Sequence, residues 1–582
     1  MKKILAQNLG YHHFAFYFDY EETIVEFCRW IKATYGYQNF TFYGFNGTKA
    51  WIFSDPQILA AIKNNYPDTE LDLVSDDAYR KALVKMGEDE RIETRAIELK
   101  SATDSDIKIP NLKLPLYPYQ KVGVEFFINN QGRAILADQM GTGKTATSLA
   151  YIVYKGSRRS LVICPASVKF AWKDEVEKWT TLRCRVVQSS DDKEVFKERA
   201  DIFIINYDIV RKFKDSILSR QWEVLICDEF HMIKNSQAQR TKSVKEIAKG
   251  IESCLLLSGT PLLNKPVELF NGLNLMDPRT WNNYSTYVYR YCGAKRTRYG
   301  LEVKGATNIE ELQQRIQKYF LRRTKEQVLK DLPPKRFISI PVELEPSIAK
   351  EYSILEASLR QYLLQVKKKK GVDVEKTLGS EHLVKLGHMR QLTTRGKLAT
   401  AEELIKNIVD SGEKVVVFSN YHEPLVELNR KFFSSSVLLT GQTKVEDRRE
   451  MVEEFQQNKN IRIFFGGIKS AGVGITLTSG TVVVFIDYSW VPADHSQAID
   501  RIHRIGQTAE AVTIYQLFAR HTIDEMMKKL LEKKQVIFDR LIEGRDGEAL
   551  EGDVVSDLLA MVKAEEFEFT VDSKGRKKLS TV

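Results

Sequence analysis

The stretch Ala137–Thr145, ADQMGTGKT, constrains this 582-residue chain more than any other. A short apolar run, Ala134 to Ala137, enters a turn bearing Gly141 and Gly143. Lys144 and Thr145 then open ATSLAYIVYK, which has helical apolar spacing. Strand, glycine turn and helix N-terminus together make an anion cradle, because loop amides and unpaired first-turn N–H groups converge with the positive end of the helix dipole behind them. A triphosphate suits such a cradle. Gly141, Thr142 and Gly143 supply the loop, Lys144 a point charge for the β- and γ-phosphates, and the Thr145 hydroxyl a Mg2+ ligand, so ATP and Mg2+ are the expected cofactors. The first glycine of the strict GxxxxGK[ST] pattern falls on Asp138, which leaves a chance glycine turn as the alternative on this stretch alone.

A chain of this length exceeds one hydrophobic core and implies three or four compact units. Its composition, 43% apolar and 28% charged, is that of a folded chain with ample core material. The net charge of +10 is a mild bias toward a polyanionic partner. Six scattered cysteines without a CxxC, several inside apolar runs, indicate reduced buried thiols rather than a zinc site or a disulfide framework. No apolar run reaches membrane-spanning length, and Gln7, Asn8, His12 and His13 interrupt any signal-like run. The expectation is a cytoplasmic, non-secreted protein, bacterial or viral in source, that acts as a monomer without a membrane.

Residues 1–109 read as a small α+β accessory domain. FAFYFDY and NFTFYGFNGTKAWIFSD alternate as strands do, the second as a hairpin turning at Asn46 and Gly47, while ETIVEFCRWIKATYG and PQILAAIKNNYPD have helical spacing. Its aromatics either form a core or stack bases beside lysines. The charged residues 84–106 and the prolines of KIPNLKLPLYP read as a linker or a domain entry.

Residues 114–276 read as one doubly wound α/β lobe. Gln120 precedes the loop at a distance from which its amide could read an adenine edge. LVICPASVKFAWKDEVEKW is a strand followed by a helix whose Val168, Trp172, Val176 and Trp179 form a core stripe, with Ser167 and Lys169 placed to meet a phosphate backbone. WEVLICDEFH is a buried strand ending in Asp228 and Glu229, at the edge where parallel sheets bind ligands. Asp228 suits Mg2+ and Glu229 suits orientation or deprotonation of an attacking water, with His231 coupling them to the neighbouring loop. CLLLSGTP places the Ser258 and Thr260 hydroxyls beside the same edge.

Gln120, GTGKT, DEFH, SGTP and the later IDRIHRIGQ occur in an order that resembles the Swi/Snf-type DNA-dependent ATPases of helicase superfamily 2. The resemblance runs from about Leu114 to Glu543, and SGTPLLNKPVELF with LRRTKEQVLKDLPPK is most similar to the annealing-helicase branch. TKAWIF is similar to part of that branch's HARP module. Gln139, Thr142 and Phe230 depart from the family pattern without removing a group that meets phosphate, metal or water. The resemblance implies two RecA-like lobes with helical insertions, and double-stranded or forked DNA as partner. It assigns residues 277–395 to helical protrusions and the inter-lobe linker. There Lys295, Arg296 and Arg298, among tyrosines, suit phosphate contacts, and Lys367–Lys370 are either a further contact or a solvated helix end.

Residues 396–544 read as the second lobe, with strands in KVVVFSNY, IRIFFGG, TVVVFIDY and AVTIYQL and no phosphate loop of their own. SAGVGITLTSG is a loop for close approach to phosphate, with Lys469 and Ser470 toward DNA and Gly474 toward nucleotide. In SQAIDRIHRIGQ the spacing predicts Gln497, Asp500, Arg501 and Arg504 on one helical face, with the arginines as fingers for the nucleotide of the first lobe. Residues 545–582 read as a partly disordered tail. The expected activity is ATP-driven translocation on duplex DNA with annealing or fork remodelling. The alternatives are a strand-unwinding DNA or RNA helicase and an ATP-gated clamp without turnover.

Overall fold

The computed structural model describes residues 5–531 apart from 11–12, 19, 36–39, 46–47, 193, 260–265, 298–299, 304, 369–379, 472–474, 490–491 and 530, together with 568–571 and 577–580. The chain divides into two units, Met1–Ser101 and Ala102–Val582.

In the first unit, β1 (Leu5–Gly10) pairs antiparallel with β2 (His13–Tyr17), and β3 (Phe40–Phe45) with β4 (Thr48–Phe53), Phe45 facing Thr48. The expected turn residues Asn46 and Gly47 lie outside the described residues. With β5 (Glu70–Leu71) the strands are ordered β3-β4-β2-β1-β5. Helices α1 (Glu22–Tyr35) and α2 (Pro56–Asn65) supply Ile24, Ile31, Ile58, Leu59 and Ile62 to a core with Phe14, Phe16, Phe40 and Phe53. Phe14, Phe16, Phe40 and Phe53 are therefore core, whereas Tyr20, Trp30 and Phe42 are exposed. The charged stretch from Val84, expected to be linker, is instead helical to Ser101 as part of α3 (Leu73–Ser101). Opposite charges at i and i+4, Asp76 with Arg80 and Asp77 with Lys81, favour such an exposed helix.

The second unit holds two fully parallel sheets. The first contains β6 (Arg133–Leu136), β7 (Ser160–Cys164), β8 (Cys184–Val186), β9 (Ile202–Asn206), β10 (Val224–Asp228) and β11 (Ser253–Leu257). An outlying antiparallel pair, β12 (Lys295–Thr297) and β13 (Gly300–Glu302), precedes the seventh strand, β14 (Phe320–Leu321). The order is β14-β6-β11-β10-β7-β9-β8. Strands β7, β9 and β11 are buried along their whole length, as their continuous apolar runs require in a sheet covered on both faces. Around them run α4 (Pro118–Asn129), α5 (Lys144–Lys155) and α6 (Lys169–Trp179).

The second sheet has the order β15-β20-β19-β16-β18-β17, from β15 (Lys335–Val342), β16 (Val415–Ser419), β17 (Ser436–Leu439), β18 (Ile463–Gly467), β19 (Val482–Phe485) and β20 (Val512–Ala519). Two strands correct the expected domain limits. β14 adds to the first sheet and β15 to the second, so residues 277–395 are not wholly protrusion and linker. β14 is too short to show periodicity, and β15 is an edge strand whose residues are mostly exposed, so neither carries an apolar signature.

Helices Pro346–Lys368 and Ser380–Gly396 pack with residues 523–531 in a separate apolar cluster that includes Tyr352, Leu359, Leu386, Met389 and Met527. The tail, expected to be partly disordered from Arg545, carries an antiparallel pair of strands, β21 (Glu568–Val571) and β22 (Lys577–Ser580). Among the described residues, no helix is long and apolar enough to cross a membrane.

The second lobe is tied to its final helical segment by a buried ion pair. Lys397 Nζ donates to the Asp524 carboxylate, which also accepts from Thr393 Oγ1 at 3.0 Å. Lys397→Met leaves Asp524 charged and uncompensated, with an expected loss of about 3–5 kcal/mol in urea unfolding. In Lys397→Met/Asp524→Asn most of that loss should be recovered.

Candidate nucleotide site

Strands β6, β11 and β10 lie side by side and end at one edge of the first sheet. Their ends run into the glycine loop, Ser258 and Asp228 respectively. The three sequence stretches singled out for nucleotide chemistry thus meet because parallel strands deliver their C-terminal ends to the same place.

Gly141 and Gly143 have φ of 80° and 83°, a left-handed conformation that suits glycine. Gly143 caps α5, and a Cβ there would fall 2.3 Å from Gln120 Nε2. Beneath the loop, the Thr142 carbonyl accepts from Tyr119 Oη at 2.6 Å and from Gln120 Nε2 at 3.0 Å. Gln120 Oε1 in turn accepts from the Tyr117 amide at 3.0 Å. Gln120, expected to read an adenine edge, is instead buried and engaged at both ends in shaping the loop. Lys144 Nζ donates to the carbonyls of Asp138 at 2.8 Å and Gln139 at 3.4 Å. Burial lowers its pKa, against the opposing pull of Glu229, Asp138, Asp228 and Asp500. Thr145 follows in the first turn of α5.

The departures from the loop pattern have partners far along the chain. Asp138 is buried and accepts from Arg323 Nε at 3.1 Å and from Nη2, across 185 residues, while Arg323 Nη1 donates to the Tyr119 carbonyl at 2.6 Å. Arg322 Nη1 donates to the carbonyls of Ala137 at 2.7 Å and Gly259 at 3.2 Å. Gln139 Oε1 accepts from the Lys325 amide at 2.8 Å. Residues 322–325, adjoining β14, were legible only as part of a family resemblance; basic residues beside a short apolar run are the sole local signal.

At the end of β10, Asp228 Oδ2 accepts from Trp172 Nε1 at 2.8 Å, and Oδ1 from the Glu229 amide at 3.0 Å. Tyr207 Oη donates to the Asp228 carbonyl at 2.8 Å. Trp172 is buried as its core stripe predicts, yet it also holds a carboxylate, a role that apolar spacing does not reveal. Burial and the adjacent Glu229 carboxylate push the Asp228 pKa up. Glu229 goes the other way. Burial would raise it, but hydrogen bonds from His231 and Ser258 and the charges of His231 and Lys144 together hold it low. Ser258 Oγ donates to Glu229 Oε2 at 2.9 Å, and His231 Nδ1 lies 3.3 Å from the same oxygen and 3.4 Å from Ser258 Oγ. His231 and Ser258, expected to couple the site to the neighbouring loop, thus meet at Glu229, while Thr260 lies outside the described residues. Glu229 itself has φ of 49°, an uncommon backbone for a non-glycine residue.

The second lobe adds two arginines, by a different geometry from the one expected. The helix Pro492–Ile499 ends before Asp500, so Gln497 lies on it while Asp500, Arg501 and Arg504 follow in turns rather than on one helical face. Tertiary partners take up the backbone there. The Arg501 carbonyl accepts from the Leu477 amide at 2.9 Å, and the His503 carbonyl from Lys325 Nζ. Both arginines still reach the loop. Arg501 Nη2 is 3.9 Å from Met140 Sδ, and a Cβ on Gly141 would lie 2.8 Å from Arg504 Cβ. Arg504 Nη1 donates to Thr476 Oγ1 at 2.8 Å. Burial and Arg504 pull the Arg501 pKa down to about 10, with Glu229, Asp500 and Asp228 opposing.

The expected DNA contacts divide. Lys169 is buried, its Nζ donating to the carbonyls of Val187 at 2.8 Å and Gln188 at 2.9 Å, so it is structural and not a phosphate contact. Ser167 is half-buried in the turn before α6. Lys295 and Arg296 are exposed on β12, and Lys469 is exposed on the short helix Ile468–Ala471, which also contains Ser470. Arg298 and Gly474 lie outside the described residues, as does the Ser470 side chain.

Among the described residues, no cluster of three or more His, Cys, Asp or Glu is disposed to hold a metal ion. The donor set fits a cation that keeps most of its waters and arrives with phosphate: the Asp228 carboxylate, oriented by Trp172, and the Thr145 hydroxyl.

The SNF2-related domain family matches residues 119–397, and the helicase conserved C-terminal domain family residues 396–506. The chain is 33% identical over 437 residues to a Caenorhabditis elegans homologue of the SWI/SNF-related matrix-associated actin-dependent regulator of chromatin subfamily A-like protein 1, covering 73% of this chain and 61% of that one. It is 29% identical over 467 residues to the mouse DNA annealing helicase and endonuclease ZRANB3, covering 76% and 42%. The chain thus spans between two-fifths and three-fifths of the length of these relatives. A solved Sulfolobus solfataricus SWI2/SNF2 ATPase core in complex with dsDNA aligns at 27% identity and a TM-score of 0.37, over 76% of this chain and 96% of that one.

Lys144→Ala removes the ammonium from the loop. The expected loss of nucleotide affinity is about 2–5 kcal/mol, read by titration with a fluorescent ATP analogue.

Proposed function

Because the chain belongs to the SNF2-related, helicase-type ATPases, we propose that it is a DNA-dependent ATP hydrolase that translocates on double-stranded DNA. The observation that carries this reading is the approach of the turn bearing Arg501 and Arg504 to the phosphate loop of the other lobe. A binding clamp needs no such pair, whereas hydrolysis benefits from positive charge brought to a transferred phosphoryl group.

In this reading the amides of Gly141–Thr145 and the Lys144 ammonium hold the phosphates. Mg2+, held by Thr145 and Asp228, supplies charge neutralisation on the phosphate oxygens. Glu229 stays ionised and orients the attacking water, accepting its proton as the bond to phosphorus forms. Ser258 and His231 keep that carboxylate aimed. Arg501 and Arg504 stabilise charge only when the lobes are closed. Hydrolysis is thereby tied to a movement of one lobe against the other, and with DNA gripped on both, the movement becomes a step. Lys295, Arg296 and Lys469 are the exposed candidates for phosphate contacts. The mouse relative's name, DNA annealing helicase and endonuclease, supports strand annealing as the finer activity. A cytoplasmic monomer is the simplest form of the machine.

The deciding assay is ATP hydrolysis with no nucleic acid, single-stranded DNA, duplex, forked DNA and RNA at one fixed salt concentration, because phosphate contacts are salt-dependent. Duplex or forked DNA should stimulate most. Stimulation by RNA or single strands alone would overturn the translocase reading. Glu229→Gln should cut turnover by about 10²–10⁴-fold while ATP remains bound, measured by filter retention of labelled nucleotide. Trp172→Phe removes the indole donor from Asp228 and should raise the half-saturating Mg2+ concentration by about 10-fold, with activity recovered at high Mg2+.

A further inference from the structure

Lys325 opens the short helix Lys325–Val328, shortly after β14, and is among the most deeply buried lysines of the described residues. Its Nζ donates to Asp500 Oδ1 at 2.6 Å and to the His503 carbonyl, both in the turn that carries Arg501 and Arg504. Its amide donates to Gln139 Oε1 at 2.8 Å. Its Nζ and Cε would each stand 3.3 Å from a Cβ on Gly141. One residue therefore bonds both to the start of the phosphate loop and to the arginine segment of the second lobe, and stands close to Gly141.

A buried ion pair is weak grounds for stability, because desolvation of the two charges offsets most of their attraction. Burial indeed pulls the Lys325 pKa down to about 8. What the pair does supply is position. In the arginine turn the regular i→i−4 ladder breaks into mixed i→i−3 and i→i−4 bonds, and the turn is also held from several sides. Leu477 holds the Arg501 carbonyl, the Pro333 carbonyl lies 2.8 Å from His503 Nε2, and Lys325 holds Asp500 and the His503 carbonyl. Of these three holds, Lys325 is the one that also contacts the phosphate loop.

We propose that Lys325 is a positioning residue for hydrolysis, setting Arg501 and Arg504 on the phosphate loop through Asp500 and the His503 carbonyl, so that lobe closure and arginine placement are one event. The inference rests on the arginines acting in hydrolysis, as argued above. A Lys325 defect should then appear in turnover and not in nucleotide binding, because Lys325 bonds to the arginine turn and to Gln139 at the start of the loop, while phosphate recognition falls to Lys144 and the loop amides.

The test compares the full chain with Lys325→Met, Lys325→Arg and Lys325→Met/Asp500→Asn, measuring DNA-stimulated kcat, KM for ATP, affinity for a fluorescent ATP analogue and melting temperature. Lys325→Met should lower kcat by about 10²-fold with KM within about 2-fold. Lys325→Arg, which keeps the charge, should recover part of that loss. The double variant leaves no uncompensated buried charge; it should melt close to the unsubstituted chain yet keep the kcat defect. A double variant with both normal melting and normal kcat would overturn the proposal, as would a fall in affinity that matches the fall in kcat. Unfolding of the double variant would make the pair a stability element and also sink the idea. Full turnover by Arg501→Ala together with Arg504→Ala, or no turnover by the unsubstituted chain, would strike the underlying hydrolysis reading instead.

Discussion

The buried pairing of Arg323 with Asp138 is the interaction on which the nucleotide site depends. A carboxylate at the mouth of a phosphate loop would repel a triphosphate if its charge were free, and here Arg323 holds it from behind. The same guanidinium fixes the Tyr119 carbonyl, and the Tyr119 and Gln120 side chains fix Thr142, so loop, preceding helix and β14 form one hydrogen-bonded body. Removing one member of such a buried network strands the others, which is why its effect exceeds that of any single bond.

The two carboxylates at the end of β10 show how neighbours with the same chemistry acquire different duties. Asp228 and Glu229 cannot both ionise freely in a buried setting. Ser258, His231 and Lys144 favour charge on Glu229, whereas Asp228, beside that charge, has its pKa raised. In the proposed mechanism a cation beside Asp228 would reverse that bias, and Glu229 would act from its ionised form. Trp172 and Tyr207 add the orientation: one holds the carboxylate and the other the main chain.

The second lobe brings its arginine turn to the phosphate loop of the first. Its arginine turn is shaped by contacts from Leu477 in its own lobe and from Lys325 and Pro333 in the segment that joins the sheets. That segment runs from β14 in one sheet to β15 in the other. It is therefore a structural member of both lobes, and the division into lobe, linker and lobe is one of chain order more than of packing.

Local sequence patterns were enough for the inner strands of the two parallel sheets, the glycine loop, the Asp228–Glu229 strand end and the arginine-bearing segment, because each is encoded by apolar runs or by glycines and charges at short spacing; the edge strands β8, β14, β15 and β17 were not legible. They failed where a residue's role belongs to a distant partner. Gln120 and Lys169 look available for ligands, but buried carbonyls claim their polar groups. Trp172 looks apolar but donates to Asp228. The arginines suggest one helical face, yet the helix stops at Ile499, and the carbonyls of Arg501 and His503 beyond it bond to Leu477 and Lys325. Sequence by itself determined which chemistry the chain carries. Tertiary structure alone decided which polar groups are spent on holding the site and which face a ligand, since a buried donor must find an acceptor and that acceptor can lie 185 residues away.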